Sequence, residues 1–317
     1  MRAAVAGAGA WGTAFASLLA GRGHDVTLAT RDPEQAREID ETGRNPRYLP
    51  DIDLDGIAAT TVDDPSLAGA DLHVVAVPSN SFAEVVRALP GAAPVLSLTK
   101  GLDPESGGRL SELVERRAVA VLSGPNFAEE IAEGLPAAAV IASENANLAE
   151  ELQQAVNSMA FRVYVNDDLV GVELCAAAKN VMALAAGGVD GLGLGDNAKA
   201  ALIARGLAEM ARLGEACGAR SETFSGLAGM GDLSVTCWSR HGRNRQAGEL
   251  IARGSSPEEA ADRIGTVEGL TTAPVLRDLS RRLGIELPIT EGVCQVLDGE
   301  DLHDLAANLM GRQPTRE

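Results

Sequence analysis

Two hydrophobic rhythms divide the chain. In the first half, short apolar runs alternate with segments of helical periodicity. Residues 2–6 form a brief apolar run ending at Gly7, and residues 11–21 then carry a helix pattern. Residues 24–30 read as a second strand, with Val26 and Leu28 alternating against polar neighbours, and residues 33–42 read as a second helix. A continuous apolar strand at 71–77 (DLHVVAV) is followed by similar runs at 94–98, 118–122 and 137–142, with helical segments at 79–89 and 127–133 between them. Strands alternating with helices predict a parallel sheet covered on both faces. The last strand in this pattern is 161–165. From Asp168 onward apolar residues recur at three- and four-residue steps, predicting helices at 169–186, 198–217, 245–252, 257–264, 272–283 and 288–297. The boundary falls near Asn166. It gives a sheet unit of residues 1–166 and an all-helical unit of residues 167–317, with a loose tail after Gly311.

Composition narrows the possibilities. A chain of 317 residues is long enough for two cores, and with only 3% aromatic residues those cores must be aliphatic. The net charge of −18 disfavours nucleic acid and anionic membrane as general partners. It also means that an anionic ligand must meet a local basic cluster. No charged-then-apolar leader and no apolar run of membrane-spanning length is read, so a cytoplasmic, reduced protein without an integral membrane segment is expected. Cys175, Cys217, Cys237 and Cys294 form no CxxC pair and are read as small core residues, and no metal is expected.

The chemistry begins at the first strand's end. Val5-Ala6-Gly7-Ala8-Gly9-Ala10-Trp11-Gly12 fits GxGxxG through Gly7, Gly9 and Gly12. It follows a strand, opens a helix and starts a strand–helix array, which is the context a dinucleotide-binding, Rossmann-like domain requires. The helix N-terminus favours a pyrophosphate there. At the end of the second strand, where Asp or Glu would bind the ribose 2′-hydroxyl of NAD, stand Thr30-Arg31-Asp32. Thr30 and Arg31 favour NADP or dual use, while Asp32 one step later leaves the choice open. Val77-Pro78-Ser79, Thr99-Lys100-Gly101 and Ser123-Gly124-Pro125-Asn126-Phe127-Ala128 each follow a buried strand and should converge on one crevice.

Lysine is scarce: Lys100, Lys179 and Lys199 are the only three among 27 basic residues. Arg can replace Lys at most surface sites but not where a proton must be given up, so the remaining lysines are candidates for chemistry. Lys179-Asn180 lies inside an apolar helix, where an unpaired lysine is costly, and is assigned chemistry. Lys199, in the plain helical stretch Asn197-Ala-Lys-Ala-Ala, is read as a chance survivor. Gly229-Met230-Gly231-Asp232-Leu233 and the glycine-rich stretch 187–195 lie nearby. Arg240-His241-Gly242-Arg243-Asn244-Arg245 is the densest basic cluster of this acidic chain, and three arginines at a helix start predict a phosphate site. Another dehydrogenase of the same architecture, or a non-catalytic dinucleotide sensor, would not need both lysines together with this cluster.

These segments resemble a known family nearly end to end. GAGAWGTAFA at 7–16, SGPNFAEEIAEGLP, AAAKNVMALAAGGVDGLGLGDNAKAALIARGLAEM, GLAGMGDLSVTC with the following GRNR, and VEGLTTAPVL at 267–276 are similar to bacterial NAD(P)-dependent glycerol-3-phosphate dehydrogenases. The resemblance implies a Rossmann domain plus a helical domain and a homodimer. It also implies reversible reduction of dihydroxyacetone phosphate to sn-glycerol 3-phosphate with NADPH or NADH, supplying glycerophospholipid synthesis. Carried over position by position, Lys179 matches the acid/base, with Asn180 and Asp232 beside it, and Lys100 touches both substrate and cofactor. Gly124, Asn126 and Thr236 match substrate-side positions, and Gly242, Arg243 and Asn244 the grip on the substrate phosphate, with Arg243 also near the cofactor. Gly7, Gly9, Ala10, Trp11, Gly12, Arg31, Tyr48, Ala128, Val267 and Glu268 match cofactor-side positions. Ala10 stands where Ser is common, Asn126 where Ser or Thr is frequent, and Gly242 where Ser often precedes Arg-Asn.

Overall fold

The computed structural model describes residues 1–303. The end of the expected helical unit and the expected loose tail after Gly311 lie outside them. One eight-stranded sheet contains β1 (Arg2–Ala6), β2 (Asp25–Thr30), β3 (Ala58–Thr61), β4 (Leu72–Val75), β5 (Val95–Ser97), β6 (Val119–Ser123), β7 (Ala137–Ala142) and β8 (Phe161–Asn166). Its order is β3-β2-β1-β4-β5-β6-β7-β8. Neighbouring strands are parallel except β6 and β7, where Leu122 pairs antiparallel with Ile141. The chain leaves β1 toward β2 on one side and returns to β4 on the other, so the carboxyl ends of β1 and β4 frame a topological switch point.

Strand periodicity explains why both faces are covered. Ala3, Val5, Leu28, Val74, Leu96 and Leu122 point to the face packed by Phe15 and Leu19 of α1 (Ala10–Gly21). Ala4, Ala6, Val75 and Val95 point to the other, against Phe82 and Val85 of a later helix. That helix is α3 (Ser79–Ala88), after α2 (Pro33–Thr42); α4 (Ala128–Ala132) and α5 (Ala146–Val156) complete the sheet unit. Val121, Val140 and Ala142 instead pack on α6 (Leu169–Gly191), so the sheet and the helical part share a core. The helical part continues with α7 (Gly195–Ala216), α8 (Ser221–Ser225), α9 (Asp232–Trp238), α10 (Arg243–Ala252), α11 (Pro257–Ile264), α12 (Glu268–Leu283) and α13 (Pro288–Leu297).

The periodicity reading passes over β3, α5, α8 and α9. β3 is Ala-Ala-Thr-Thr, partly exposed, and carries no apolar signal. α9 is preceded by a π turn, Leu227–Gly231, which breaks the helical period. The expectation that no apolar run reaches membrane-spanning length is corrected by α6. That helix has 23 residues and a mean hydropathy of 1.5 over its most apolar 18-residue window, but 89% of this window is buried inside the protein. Cys175, Cys237 and Cys294 are buried as small core residues, whereas Cys217 is partly exposed at the end of α7.

Helix α6 runs five residues beyond its expected end, through Gly187, Gly188 and Gly191. Gly187 and Gly191 form a seam against α10, whereas a Cβ on Gly188 would face the Leu302 side chain at 3.4 Å. A Cβ on Gly187 would run into the carbonyl of Arg245, one on Gly191 would stand 2.5 Å from Ala252 Cβ, and one on Gly248 would run into the Leu184 carbonyl. The α6 and α10 backbones therefore touch. Gly187→Ala should cost about 1–3 kcal/mol of stability, as overpacking of a tight contact does. Gly21→Ala, in α1 with nothing within 4 Å of the added carbon, is the matched control and should be neutral or slightly stabilising. Urea unfolding checks this, and equal midpoints for the two variants would contradict the seam.

Candidate active site

The carboxyl ends of β1, β2, β4 and β5 open into a cleft of about 650 Å³ that extends between the sheet unit and the helical part. A smaller hollow of about 450 Å³, bordered by Tyr164 and Arg220, shares no lining residue with it. Gly7 turns the chain sharply at φ 115°, where a Cβ would run into the Ala76 carbonyl, and a Cβ on Gly12 would run into the Gly7 carbonyl; neither site accepts a side chain. Helix α1 then starts with no side-chain cap, leaving its first N–H groups to the cleft, and nothing stands within 4 Å of a Cβ position on Gly9. Trp11 Nε1 is buried without a partner among the described residues. Open helix donors, free space at Gly9 and an orphaned indole N–H fit a dinucleotide pyrophosphate.

The turn is held from behind. The Ala8 carbonyl accepts hydrogen bonds from Asn45 Nδ2 at 2.9 Å and Gln35 Nε2 at 3.1 Å. Asn45 also donates to Thr13 at 2.8 Å, and Thr30 donates its hydroxyl to Gln35 at 2.9 Å. Gln35 and Asn45 were not singled out by the sequence reading. A polar residue inside an amphipathic helix or a proline-rich loop carries no local mark of such a role. Beyond Thr30, Asp32 caps α2 through the Glu34 and Gln35 N–H groups and pairs with Arg47 at 2.5 Å. The hydrogen bond from Arg47 is the main cause holding this carboxyl below its ordinary range. Arg31 and Tyr48 are both exposed on the cleft wall.

Opposite the dinucleotide turn, Asp232 is 1% exposed between two lysines. Lys179 Nζ lies 2.5 Å from Asp232 Oδ1 and donates to Thr236 Oγ1 at 3.0 Å. Lys100 Nζ donates to Asp232 Oδ2 at 2.9 Å, Asn126 Oδ1 at 2.8 Å and the Gly124 carbonyl at 3.1 Å. An ammonium has three N–H groups. Lys100 spends all three on the protein, while Lys179 spends two among the described residues. Burial pushes Lys179 down to about 7; Asp232 opposes this, and Lys100 adds to it. Burial raises the Asp232 carboxyl, but the two lysines outweigh it and hold it below the ordinary range.

Asn180 donates to the Lys100 carbonyl at 3.2 Å and accepts from Asn244 at 3.1 Å, and Asn244 in turn accepts from Gly269 N–H at 2.8 Å. This chain of amides joins the loop after β5 to α6, α10 and α12. Asn126 Nδ2 is buried without a partner among the described residues, an acceptor-seeking group in the cleft wall. Arg243 is exposed at the start of α10, and Gly242 sits where a Cβ would stand 2.7 Å from the Thr236 carbonyl. Burial raises the Glu268 carboxyl, which accepts from the Ser79 hydroxyl at 2.8 Å.

Most of the residues expected at the site line the one cleft: Gly7, Gly9, Ala10, Trp11, Arg31, Tyr48, Lys100, Asn126, Ala128, Lys179, Asn180, Asp232, Thr236, Gly242, Arg243, Asn244 and Glu268. Gly12 and Gly124 support it from beneath through backbone contacts. Val267 packs with Leu184, Ala247 and Ala260 instead of lining the cleft. The expectation of three phosphate-binding arginines is corrected: Arg245 turns away to Asp190 at 2.5 Å and Glu249 at 3.1 Å. Lys199, read as a chance survivor, is 5% exposed and pairs with Asp190 at 2.7 Å, so its charge is used even though the pairing itself does not call for a lysine.

The N-terminal family model of NAD-dependent glycerol-3-phosphate dehydrogenase matches residues 2–149, and its C-terminal counterpart matches 168–307. The chain belongs to this family. A glycerol-3-phosphate dehydrogenase [NAD(P)+] of Moorella thermoacetica is 47% identical over 99% of this chain and 97% of its own, and one of Halorhodospira halophila is 46% identical over 99% and 98%. The crystal structure of a Coxiella burnetii glycerol-3-phosphate dehydrogenase superposes with a TM-score of 0.93 at 38% identity, covering 98% of this chain and 99% of that one.

If Arg31 reads a 2′-phosphate, Arg31→Ala should weaken NADPH binding more than NADH binding, because Asp32 is already committed to Arg47 and to capping α2. Fluorescence titration with both nucleotides checks this. Equal weakening would remove Arg31 as the reader.

Proposed function

We propose that the chain catalyses the reversible, NAD(P)H-dependent reduction of dihydroxyacetone phosphate to sn-glycerol 3-phosphate, feeding glycerophospholipid synthesis, with Lys179 as acid/base. The observation that carries the residue assignment is the unequal engagement of the two lysines. Lys179 is buried, titrates near neutrality and spends two N–H groups among the described residues, whereas every Lys100 donor is committed.

A bound reduced nicotinamide supplies the hydride. Lys179 gives its proton to the substrate oxygen as negative charge develops there, and takes it back in the reverse direction. Asp232 aims Lys179 and keeps the ammonium populated against burial. Lys100 holds Asp232 and the Asn126 loop in place, and its charge stabilises the developing oxyanion without contact. Asn126 Nδ2 offers a donor to a substrate oxygen. Gly242, Arg243 and Asn244 hold the substrate phosphate at the α10 N-terminus, which fixes the carbonyl relative to Lys179. Asn244 keeps one N–H for this after bonding Asn180. The division at residue 166 into cofactor and substrate units follows the change of periodicity there, a homodimer follows the family resemblance, and a cytoplasmic location is kept from the sequence reading; these complete the proposal.

Steady-state NADPH oxidation tests the assignment. Unphosphorylated dihydroxyacetone should be a very poor substrate, because binding energy at the phosphate orients the reacting carbon. Arg243→Ala should impair the phosphorylated ketone far more than the bare one. Lys179→Arg keeps the charge but cannot release a proton near neutral pH, so turnover should fall by two or more orders of magnitude, roughly what a missing general acid costs, with NADPH binding retained. Comparable efficiency on both ketones, or an active Lys179→Arg protein, would overturn the proposal.

A further inference from the structure

The Lys199, Asp190 and Arg245 cluster takes no part in the roles above, yet it lies against the elements that carry them. Asp190 occupies the last turn of α6, where the helix dipole disfavours a carboxylate. It is kept there between two cations. Its oxygens accept from Lys199 Nζ at 2.7 and 3.0 Å, and Oδ2 also accepts from Arg245 Nη1 at 2.5 Å. Lys199 lies 5.1 Å from the ring centroid of Trp238, the last residue of α9. Arg245 Nε donates to the Ser239 carbonyl at 3.1 Å, and the Gly242 N–H donates to the same carbonyl at 3.2 Å. One carboxylate therefore ties the end of α6 to α7, and through Trp238 and Ser239 to the turn at residues 239–242. α9 begins with Asp232 and α10 begins with Arg243.

We propose that Asp190 is a positioning residue for the substrate phosphate: through Lys199 and Arg245 it fixes the turn at residues 239–242 and so sets the aim of the α10 N-terminus. This rests on the reading of residues 242–244 as the phosphate grip. Arg245 itself is not a ligand, because Asp190 and Glu249 already balance its charge. Without the carboxylate, Lys199 and Arg245 face each other as enclosed like charges, with side chains 7% and 14% exposed, and the turn that Arg245 holds must shift. A displacement of the order of an ångström at an orienting group is enough to lower activity strongly. The seam glycines 187 and 191 flank Asp190 on α6, so the backbone fixes the distance between the helices while Asp190 fixes the turn.

The test compares Asp190→Asn, Lys199→Met, Lys199→Arg and Arg243→Ala in steady-state kinetics with dihydroxyacetone phosphate, alongside NADPH affinity by fluorescence and thermal melting. Asp190→Asn and Lys199→Met should raise KM for the phosphorylated ketone by about tenfold or more and lower kcat as well, because a misaimed phosphate loses both binding and the orientation of the carbonyl. NADPH affinity should be unchanged. Lys199→Arg should restore wild-type KM, since a guanidinium can keep the bidentate pair with Asp190 and the stacking on Trp238. If Asp190→Asn does not fold, the contrast between Lys199→Met and Lys199→Arg carries the same test. Variants that melt earlier but keep wild-type KM, while Arg243→Ala raises it, would show the cluster to be structural only and overturn the proposal. If Arg243→Ala leaves KM unchanged, the phosphate-grip reading fails and the proposal falls with it.

Discussion

The buried carboxylate of Asp232 is the constraint on which the site depends. A charge this enclosed is stable only when it is paired and hydrogen-bonded, and here two lysines from distant parts of the chain supply the pairing. Lys100 comes from the loop after β5 and Lys179 from the middle of α6, while Asp232 opens α9. Folding therefore cannot satisfy Asp232 without bringing the carboxyl end of β5 and the helical part together. Burial in the same enclosure pushes Lys179 down to about 7, with Asp232 opposing the shift and Lys100 adding to it.

Helix α6 is the member that makes this arrangement stiff. It carries Lys179 and Asn180 on the face toward the cleft, packs Val172, Val181 and Met182 into the shared core, and lays its glycines against α10. The proposed acid/base and the proposed phosphate grip are thus held on two helices whose backbones touch. A glycine seam gives a shorter and less variable separation than interlocking side chains would. The glycines cost helix propensity and return precision between two functional groups.

How much of this was readable in the chain differs by element. The strand–helix alternation, GxGxxG at Gly7, Gly9 and Gly12, and the lysine in an apolar helix stand out because each breaks or fits a local rule. The apolar pattern predicts a helix only to Ala186, and the glycines beyond it carry no helical signal of their own; the opposing α10 explains their use. Likewise Arg245 was grouped with Arg243 by proximity in sequence, but on α10 the two point to different neighbours, and Asp190 lies 55 residues away along the chain. Asn45 and Gln35 support the dinucleotide turn through the Ala8 carbonyl, a contact across 37 and 27 residues that no local pattern encodes. Local rules located the chemistry, and long-range pairing decided how each group is held.

The most direct test of the account is the pH dependence of kcat/KM in both directions, in the wild-type enzyme and in Asp232→Asn. Lys179 must be protonated to reduce the ketone and neutral to oxidise the alcohol. Reduction should therefore fall, and oxidation rise, as pH increases through one common midpoint near 7. Asp232 is the partner that raises the Lys179 pKa against burial, so neutralising it should move that midpoint to lower pH in both directions. Midpoints near the ordinary lysine value, or midpoints that stay in place when Asp232 loses its charge, would contradict the assignment of Lys179 as the proton carrier tuned by Asp232.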